Sequence, residues 1–575
     1  MQKDMIEFIE SNGLSPFSKN KTPIKNQKSS LLKTKEAQTV YNKLLSKLSE
    51  NLAFTETSNI WNFFPFTDST EKIKNRQEFF SSIDKELKND FLKEISPPKR
   101  SWKPEYNVLA VTEDEDTLLK LKEKDCPVMF IISQYDLESL KDYDVIQAIN
   151  CENSAHVLEK MPQTVFIDSI DDIYLERYLE ILSGWRPIIE ILEKQDLNEK
   201  IKEIIEYLRP LFELINPKSS KIITKEEAES ELERLNSIIF EKLKNVTLTG
   251  DSLVNVLNKG ELPKELKDAI KETLKESFLP GEVVNIGLPL TLDNKSLDDI
   301  LRSQSLNKFA SASEKIKKHS PEIKQINYKL KQLSSYLLIL DFTGGLNSYL
   351  SAHKEPIGVS DELVIDNSVN LLIDNPKPIS FHLDAAHKCS ILTGANSGGK
   401  TTLLEHIIQL VVLSQLGLPT AGKTRMPLFS DIYYFAKNKG SANKGAFETL
   451  LTQMSEIKPG KKTLILADEI ESVTEPGIAG KIISATAEYF LRKECFLVIA
   501  THLGREVQKS LPQSARIDGI EARGLDEFNE LIVNHNPVLG KLANSTPELI
   551  IEKMFRTNST EYFSHLQDSI KKSNS

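Results

Sequence analysis

Three short stretches of this chain hold residues whose types and spacing suit phosphate chemistry. The first is CSILTGANSGGKT, residues 389–401, in which Gly394-x-x-x-x-Gly399-Lys400-Thr401 follows the apolar run Ser390 to Leu392. It opens the mostly apolar stretch TTLLEHIIQLVVLSQLG, which closes at Gly417. Strand, glycine-rich turn and helix start, in that order, make a phosphate-binding loop. Gly394, Gly398 and Gly399 free the backbone to point N–H groups at phosphate oxygens, and the helix dipole adds a favourable field there. Ala395, Asn396, Ser397 and Thr402 complete the expected cradle. Lys400 is expected to reach the β- and γ-phosphates of ATP, and Thr401 Oγ to ligate Mg²⁺. The second stretch, KKTLILADEIES (461–472), is a buried-strand run ending in Asp468-Glu469. An acidic pair at the carboxyl end of a parallel strand is expected beside the loop, where ligands bind. Asp468 would hold Mg²⁺ through water, and Glu469 would orient and partly deprotonate the attacking water. In the third, CFLVIA (495–500) runs into Thr501-His502, and this histidine can hydrogen-bond a γ-phosphate. Lone histidines are mostly structural, but this one stands third in an ordered series. Lys400, Glu469 and His502 are therefore the catalytic candidates for Mg²⁺-dependent ATP hydrolysis.

The elements that must position these residues follow from periodicity. Strands return from Pro356 onward and carry the site. Upstream, Glu36 to Glu50 repeats apolar residues at helical spacing, and a second helix is expected from Thr70 to Ile95, ending before Pro97-Pro98. Residues 105–168 alternate short β-branched runs (NVLAV, PVMFII, YDVIQAI, QTVFI) with polar segments starting near Asp114, Tyr135 and Glu152. That alternation predicts a small parallel sheet. VTEDED follows its first strand in place of a glycine loop, so a structural or docking module is expected rather than a second nucleotide site. From Ser169 to about Leu340 long Leu-, Ile-, Lys- and Glu-rich helices dominate, interrupted by PGEVVNIGLPLTL (280–292), a strand or loop excursion. The expected fold class is multidomain α/β plus mainly-α. Its parts are a Lys-rich segment (1–45), the first part of a helical core (46–104), a small α/β module (105–168), a further core region with long helices that suit levers or a coiled pair (169–350), and a C-terminal nucleotide-binding domain with further helices (351–575).

Composition narrows the function classes. The chain has 575 residues, too many for one core, and a formal net charge of −10, which excludes a polycation. Local fields differ: residues 301–340 carry eight Lys and Arg against two acids. Lys315, Lys317 and Lys318 lie in this stripe, which suits either a solvated helix face or a phosphate-facing surface. The Lys-rich arm is expected to be solvated, with DNA contact as the alternative. Cys126, Cys151, Cys389 and Cys495 are scattered without a CxxC pair, so neither a disulfide scaffold nor a structural zinc site is expected. The first residues, MQKDMIEFIESNG, lack a signal-length apolar run, and no membrane span is expected. A reduced, intracellular, multidomain protein fits these features.

These residues resemble the ATPase domain of the MutS family of ABC-type ATPases. TGANSGGKTTLL (393–404) matches the family's TGPNxGGKS/T loop, including Asn396 and the paired glycines. GLPTAG (417–422) is similar to its V-P-A segment, and the Asp-Glu pair followed by Thr-His-Leu completes the order. YLLILDF (336–342) and TDSTEKIKNRQEFF (67–80), with its I-x-x-RQ-x-x-F, resemble the family's returning clamp helix and first core helix. Departures are equally specific. No Phe-x-Glu mismatch wedge and no C-terminal nuclease match are recognisable. The family's Ser-Thr-Phe signature aligns with Gly445-Ala446-Phe447, and its Gly-Arg-Gly-Thr after the acidic pair is replaced by Ser472-Val473-Thr474-Glu475-Pro476-Gly477. The chain is similar to the branch without mismatch-reading modules, of archaeal type.

The resemblance implies a C-terminal P-loop ABC-type ATPase domain and a homodimer with ATP at the shared interface. There the partner's γ-phosphate would meet the N–H groups of Gly445 and Ala446, with Ser441 nearby. It further implies long helices that work as levers and a clamp on structured or branched DNA. The alternative is an ABC-type ATPase that remodels a protein partner through the 105–168 module without binding DNA directly.

Overall fold

The computed structural model divides the chain into two units, one of Ser96–Leu333 and one of Met1–Ile95 with Ser334–Ser575. It describes residues 1–18, 31–84, 89–215, 224–244, 264–394, 398–436, 444–469, 476–525, 531–543, 547–558 and 560–573. Both units are mixed α/β.

Within Ser96–Leu333, strands β1 (Val108–Thr112), β2 (Val128–Phe130), β3 (Val145–Ala148) and β4 (Thr164–Phe166) form a parallel sheet in the order β2-β1-β3-β4. Every residue of β1 is buried, as a parallel sheet covered on both faces requires. Val108 and Ala110 enter one core with Val145 and Ala310, and Leu109 and Val111 enter another with Ile146 and Leu158. After β1 the acidic run caps a helix: Asp114 Oδ2 accepts the Thr117 N–H at 2.8 Å at the start of Glu115–Glu123. The excursion at 280–292 is a small antiparallel hairpin of β5 (Val284–Asn285) and β6 (Thr291–Leu292). It packs with Leu235, Ile239, Ile270 and Leu297 from three helices, the last being the long Asn294–Lys318.

The other unit is built on two sheets. Strands β7 (Gly358–Val359), β8 (Leu363–Ser368), β9 (Ile379–Leu383) and β11 (Lys423–Met426) lie in the order β7-β11-β8-β9. Strands β10 (Cys389–Gly394), β12 (Asp431–Phe435), β13 (Thr463–Asp468), β14 (Phe496–Ala500) and β15 (Ala515–Ile520) form a parallel sheet ordered β12-β13-β14-β10-β15. One face packs Ile391, Ile465, Ala467 and Ile499 against Ile483, Ala487 and Phe490 of helix Pro476–Leu491. Against the other lie helices Lys400–Leu416 and Lys35–Leu48, which also pack on each other.

Two expectations change. The helix predicted from Thr70 to Ile95 ends at Ser81, where the hydroxyls of Ser81 and Ser82 bond back to Glu78 O and Phe79 O, both at 2.8 Å. A separate short turn covers Asp90–Glu94. The described end of the Lys-rich arm is not solvated. Lys33 N–H donates to Ile432 O at 2.9 Å, Ile432 N–H to Leu31 O at 2.8 Å, and Lys33 Nζ pairs with Asp431 at 2.8 Å. Residues 31–33 thereby cover the outer edge of β12, and Leu31 and Leu32 are buried. In the parallel sheet Phe496–Ala500 runs between β13 and β10.

Within the same unit, YLLILDF belongs to helix Ile326–Gly345. Buried Asp341 there accepts the N–H groups of Ala53 and Phe54 at 2.8 and 3.0 Å, the Thr57 hydroxyl at 2.6 Å and the Asn89 amide at 2.9 Å. Four donors on one carboxylate tie the early helices to the later chain.

Candidate functional site

The glycines at the carboxyl end of β10 adopt the backbone that the loop requires. Gly394 has φ +129°, and a Cβ there would lie 2.2 Å from Ile520 O on β15. Gly399, at φ +89°, begins helix Lys400–Leu416 from the left-handed region. Ala395, Asn396 and Ser397 lie outside the described residues. Lys400 is only 3 % exposed, and its ammonium donates to Gly394 O at 2.7 Å, folded back across the loop. Thr402 continues the helix, and its carbonyl accepts the Asn370 amide at 3.3 Å.

Helix Lys400–Leu416 is held at both ends. At its far end Gly417 closes it at φ +79°. The Arg76 guanidinium donates to Gln415 O at 2.6 Å and to Pro65 O at 2.7 Å. Burial lowers the Arg76 pKa to about 10. A cation at a helix C-terminus complements its dipole. Beneath β10, Asp518, fully buried on β15, accepts the Ser390 hydroxyl at 2.6 Å, Arg516 Nε at 2.8 Å and Gly540 N–H at 2.9 Å. Ala543 N–H donates to Thr393 Oγ1 at 3.1 Å. These bonds seat the segment after the short strand Leu531–Val533 against the loop strand, and there His535 Nδ1 lies 3.2 Å from Gly398 O. Sequence reasoning missed His535, since a histidine in NHNPVLG has no spacing signal.

The acidic pair meets the loop despite the intervening strand. Thr401 Oγ1 donates to Asp468 Oδ2 at 2.5 Å, with Asp468 buried at the end of β13. Glu469 follows at φ +48°, a left-handed backbone unusual for a side chain of this kind. Its N–H bonds Ala500 O at 2.9 Å, and its Oε1 meets Nε2 of His502 beyond the end of β14. Parallel register explains the meeting, because Asp468 pairs with Ala500, so the residues just after each strand emerge side by side.

The residues present fit an ATP–Mg²⁺ group. The Gly394 position has no room for a Cβ, and a buried lysine points at the loop. Mg²⁺ in such sites takes one or two protein oxygens, with phosphates and water filling the rest, so Thr401 and Asp468 suffice as protein ligands. No cluster of three or more His, Cys, Asp or Glu that could hold a metal by protein ligands alone occurs among the described residues.

Other candidates sit apart from this group. Gly445 and Ala446 fall in the first turn of helix Lys444–Ser455, while Ser441 lies outside the described residues. In the other unit, Lys315, Lys317 and Lys318 end helix Asn294–Lys318. Lys315 and Lys318 are exposed. Lys317 donates to Phe166 O and lies 3.5 Å from Asp168. Two more cations of the stripe are engaged, Lys324 with Asp172 at 2.7 Å and Arg302 with Lys141 O at 2.6 Å.

Fold and site together define a multidomain α/β protein whose parallel sheet carries a glycine loop, a lysine and a Thr–Asp pair at its strand ends. The chain is similar to proteins of the MutS family. It is 29 % identical over 570 aligned residues to the DNA-binding protein MutS2 of Pyrococcus furiosus, covering 91 % of this chain and 96 % of that protein. It is 23 % identical over 407 residues to the DNA mismatch repair protein MutS of a Thermotoga species, covering 60 % of this chain and 51 % of the relative. A third relative, the endonuclease MutS2 of Caldanaerobacter subterraneus, is 23 % identical over 207 residues, and the match covers 26 % of its length. The chain thus spans about half or less of these last two proteins. No family model matches it. No helix among the described residues is long and apolar enough to cross a membrane.

Proposed function

We propose that this chain is an ATP-dependent DNA-binding protein that works as a homodimeric clamp on branched or recombination-type DNA and hydrolyses ATP at the dimer interface. The observation that carries the reading is the 2.5 Å contact between Thr401 Oγ1 and Asp468, made across an intervening strand at the mouth of a glycine loop. Bound Mg²⁺ would supply charge neutralisation of the β- and γ-phosphates. The chain's own residues do the rest. Lys400 swings from Gly394 O to the phosphates, Thr401 and Asp468 hold the cation, and Glu469 orients water for in-line attack. His502, now against Glu469, turns to the γ-phosphate. The length-wide likeness to a protein named for DNA binding supports the DNA part.

A binding panel of duplex, mismatched, D-loop, forked and Holliday-junction DNA, with and without ATP, tests this proposal. Branched DNA should bind tightest with ATP and accelerate turnover, and affinity should fall steeply between low and physiological salt. One observation favours the alternative of protein remodelling: Ile132 and Tyr135 of the 105–168 module are 82 % and 83 % exposed. DNA that neither binds with a salt slope nor stimulates turnover would decide for it.

A further inference from the structure

Away from the glycine loop, one buried carboxyl of Ser96–Leu333 has too few donors to carry a charge. Glu176 opens helix Glu176–Ser183 and is 0 % exposed. Its Oε1 accepts the Tyr106 hydroxyl at 3.1 Å and the Ser313 hydroxyl at 3.5 Å. Its Oε2 is buried too, with no hydrogen-bond partner among the described residues. Gln147 completes the group, its amide donating to Ser313 Oγ at 3.3 Å and its Oε1 accepting the Tyr174 N–H at 2.7 Å. Four parts of the fold therefore meet at one carboxyl. Tyr106 leads into β1, Gln147 lies in β3, Ser313 belongs to the long helix Asn294–Lys318, and Glu176 starts its own helix. Tyr106 and Ala310, one turn before Ser313, also share an apolar core with Val108 and Val145.

The cations of the packed elements are engaged elsewhere. Arg177 lies 3.1 Å from Cys126 Sγ, Arg100 reaches Glu180 at 3.5 Å, and Lys317 pairs with Asp168 at 3.5 Å. Glu180, one turn along the same helix, takes the Tyr174 hydroxyl at 3.2 Å and adds a like charge. The first-turn position and the two hydroxyls favour the ionised form. Burial outweighs them and raises the Glu176 pKa. Burial and then Glu176 raise the Tyr106 phenol as well, so it stays the donor. An O–H without an acceptor costs less than a buried charge short of donors. We propose that Glu176 is carried as a neutral carboxylic acid and serves as a proton-held latch between the four-stranded sheet and helix Asn294–Lys318, closed while the proton is present and loosened when it leaves. Ionisation would put a charge where water does not reach, and its relief requires water to enter between sheet and helix. The unfolded chain gives up this proton near the ordinary 4.5, the folded unit at a higher pH. By linkage the latch contributes fully below pH 4.5, and its contribution is lost as pH rises through the folded value.

The test is Glu176→Gln in the full chain, because glutamine keeps the shape and the acceptor oxygen and does not ionise. Hydrogen exchange read by mass spectrometry compares parent and variant at matched pH, so intrinsic exchange rates and other titrating groups, His406 among them, cancel. Peptides from β1, β3 and helix Asn294–Lys318 should be protected alike in both chains near pH 4.5. As pH rises, protection in the parent should fall relative to the variant by about tenfold per pH unit, the effect of one proton. It should level off once the folded carboxyl itself ionises, while peptides from Met1–Ile95 and Ser334–Ser575 stay matched. Parallel profiles in the two chains overturn the latch. So does a Gln variant that is less protected at every pH or does not fold, since the fold would then need the charge. Tyr106→Phe, which removes one donor to the ionised form, gives a second reading: its decline should extend to higher pH than in the parent. No decline, or one that ends sooner, overturns the latch as well.

Discussion

His502 Nε2 rests on Oε1 of Glu469, so the two groups expected to serve the γ-phosphate and the water engage each other first. Glu469 makes this contact from a left-handed backbone at φ +48°. Strain of this sort costs about 1–3 kcal/mol and gathers at working sites. Glu469→Gln should retain ATP and lose turnover by about a hundredfold or more. Glu469→Gly should lose turnover equally while raising stability by about 1 kcal/mol, since glycine adopts positive φ freely. Single-turnover kinetics and urea unfolding of both variants check the pair, and a Gln variant with parent-like turnover would remove Glu469 from the chemistry.

The second prediction concerns His406 in helix Lys400–Leu416, which is buried with neither ring nitrogen hydrogen-bonded among the described residues. Burial lowers its pKa from 6.5 to about 4. A base with a depressed folded pKa stays neutral in the fold while the unfolded chain takes up a proton. Its contribution is therefore complete above pH 6.5 and is lost as pH falls toward 4. The loss is about 1.4 kcal/mol per pH unit in that window. His406→Leu should flatten that part of the stability profile relative to the parent, as chemical denaturation at stepped pH would report.

The basic stripe divides by structure. Lys315 and Lys318 are exposed, whereas Lys317 holds Phe166 O. Lys315→Glu with Lys318→Glu should weaken binding to all DNA sequences and lower the salt slope by about 2, near 0.9 per phosphate contact. Lys317→Glu should instead lower the melting temperature and leave the slope alone. Equal salt slopes in parent and double variant would return the stripe to a solvated face.

The proposed ATP site shared between two subunits makes a fourth prediction. Gly445 lies in the first turn of helix Lys444–Ser455, where N–H groups are free to face an anion. Specific ATPase activity should fall on dilution through the dimer dissociation range. Gly445→Asp subunits, repelling γ-phosphate, should suppress parent subunits in mixed dimers. Activity that stays flat on dilution, without dominant suppression, would indicate a monomeric site.

Local pattern made much of the fold legible. The apolar runs at 390–392 and 464–467 fall within β10 and β13, that at 495–500 covers β14, and the alternation at 105–168 is a four-stranded parallel sheet. What stayed illegible depends on distant partners. The strand order placing Phe496–Ala500 between loop and acidic pair leaves no trace in spacing. His535 reaches Gly398 from 137 residues away, and Thr34 reaches Tyr434 from 400 away. A lysine-rich arm reads as solvated because its charge is local, while the edge it covers is encoded at the other end of the chain. The helix end at Ser81 was hidden for a different reason, two serine hydroxyls competing with a pattern that reads as continuous.

The strap of residues 31–33 along β12 also sets a timetable for synthesis. The 400 residues between Thr34 and Tyr434 take a ribosome about 20 to 80 s to make at ordinary speed. Throughout that interval the first segment has been made and its strand partner has not. The whole of Ser96–Leu333 leaves the ribosome in between. The outer edge of that parallel sheet is therefore closed by a segment made long before its strand partner. Until then those early helices and Leu31 and Leu32 are exposed to whatever binds apolar segments at the exit tunnel.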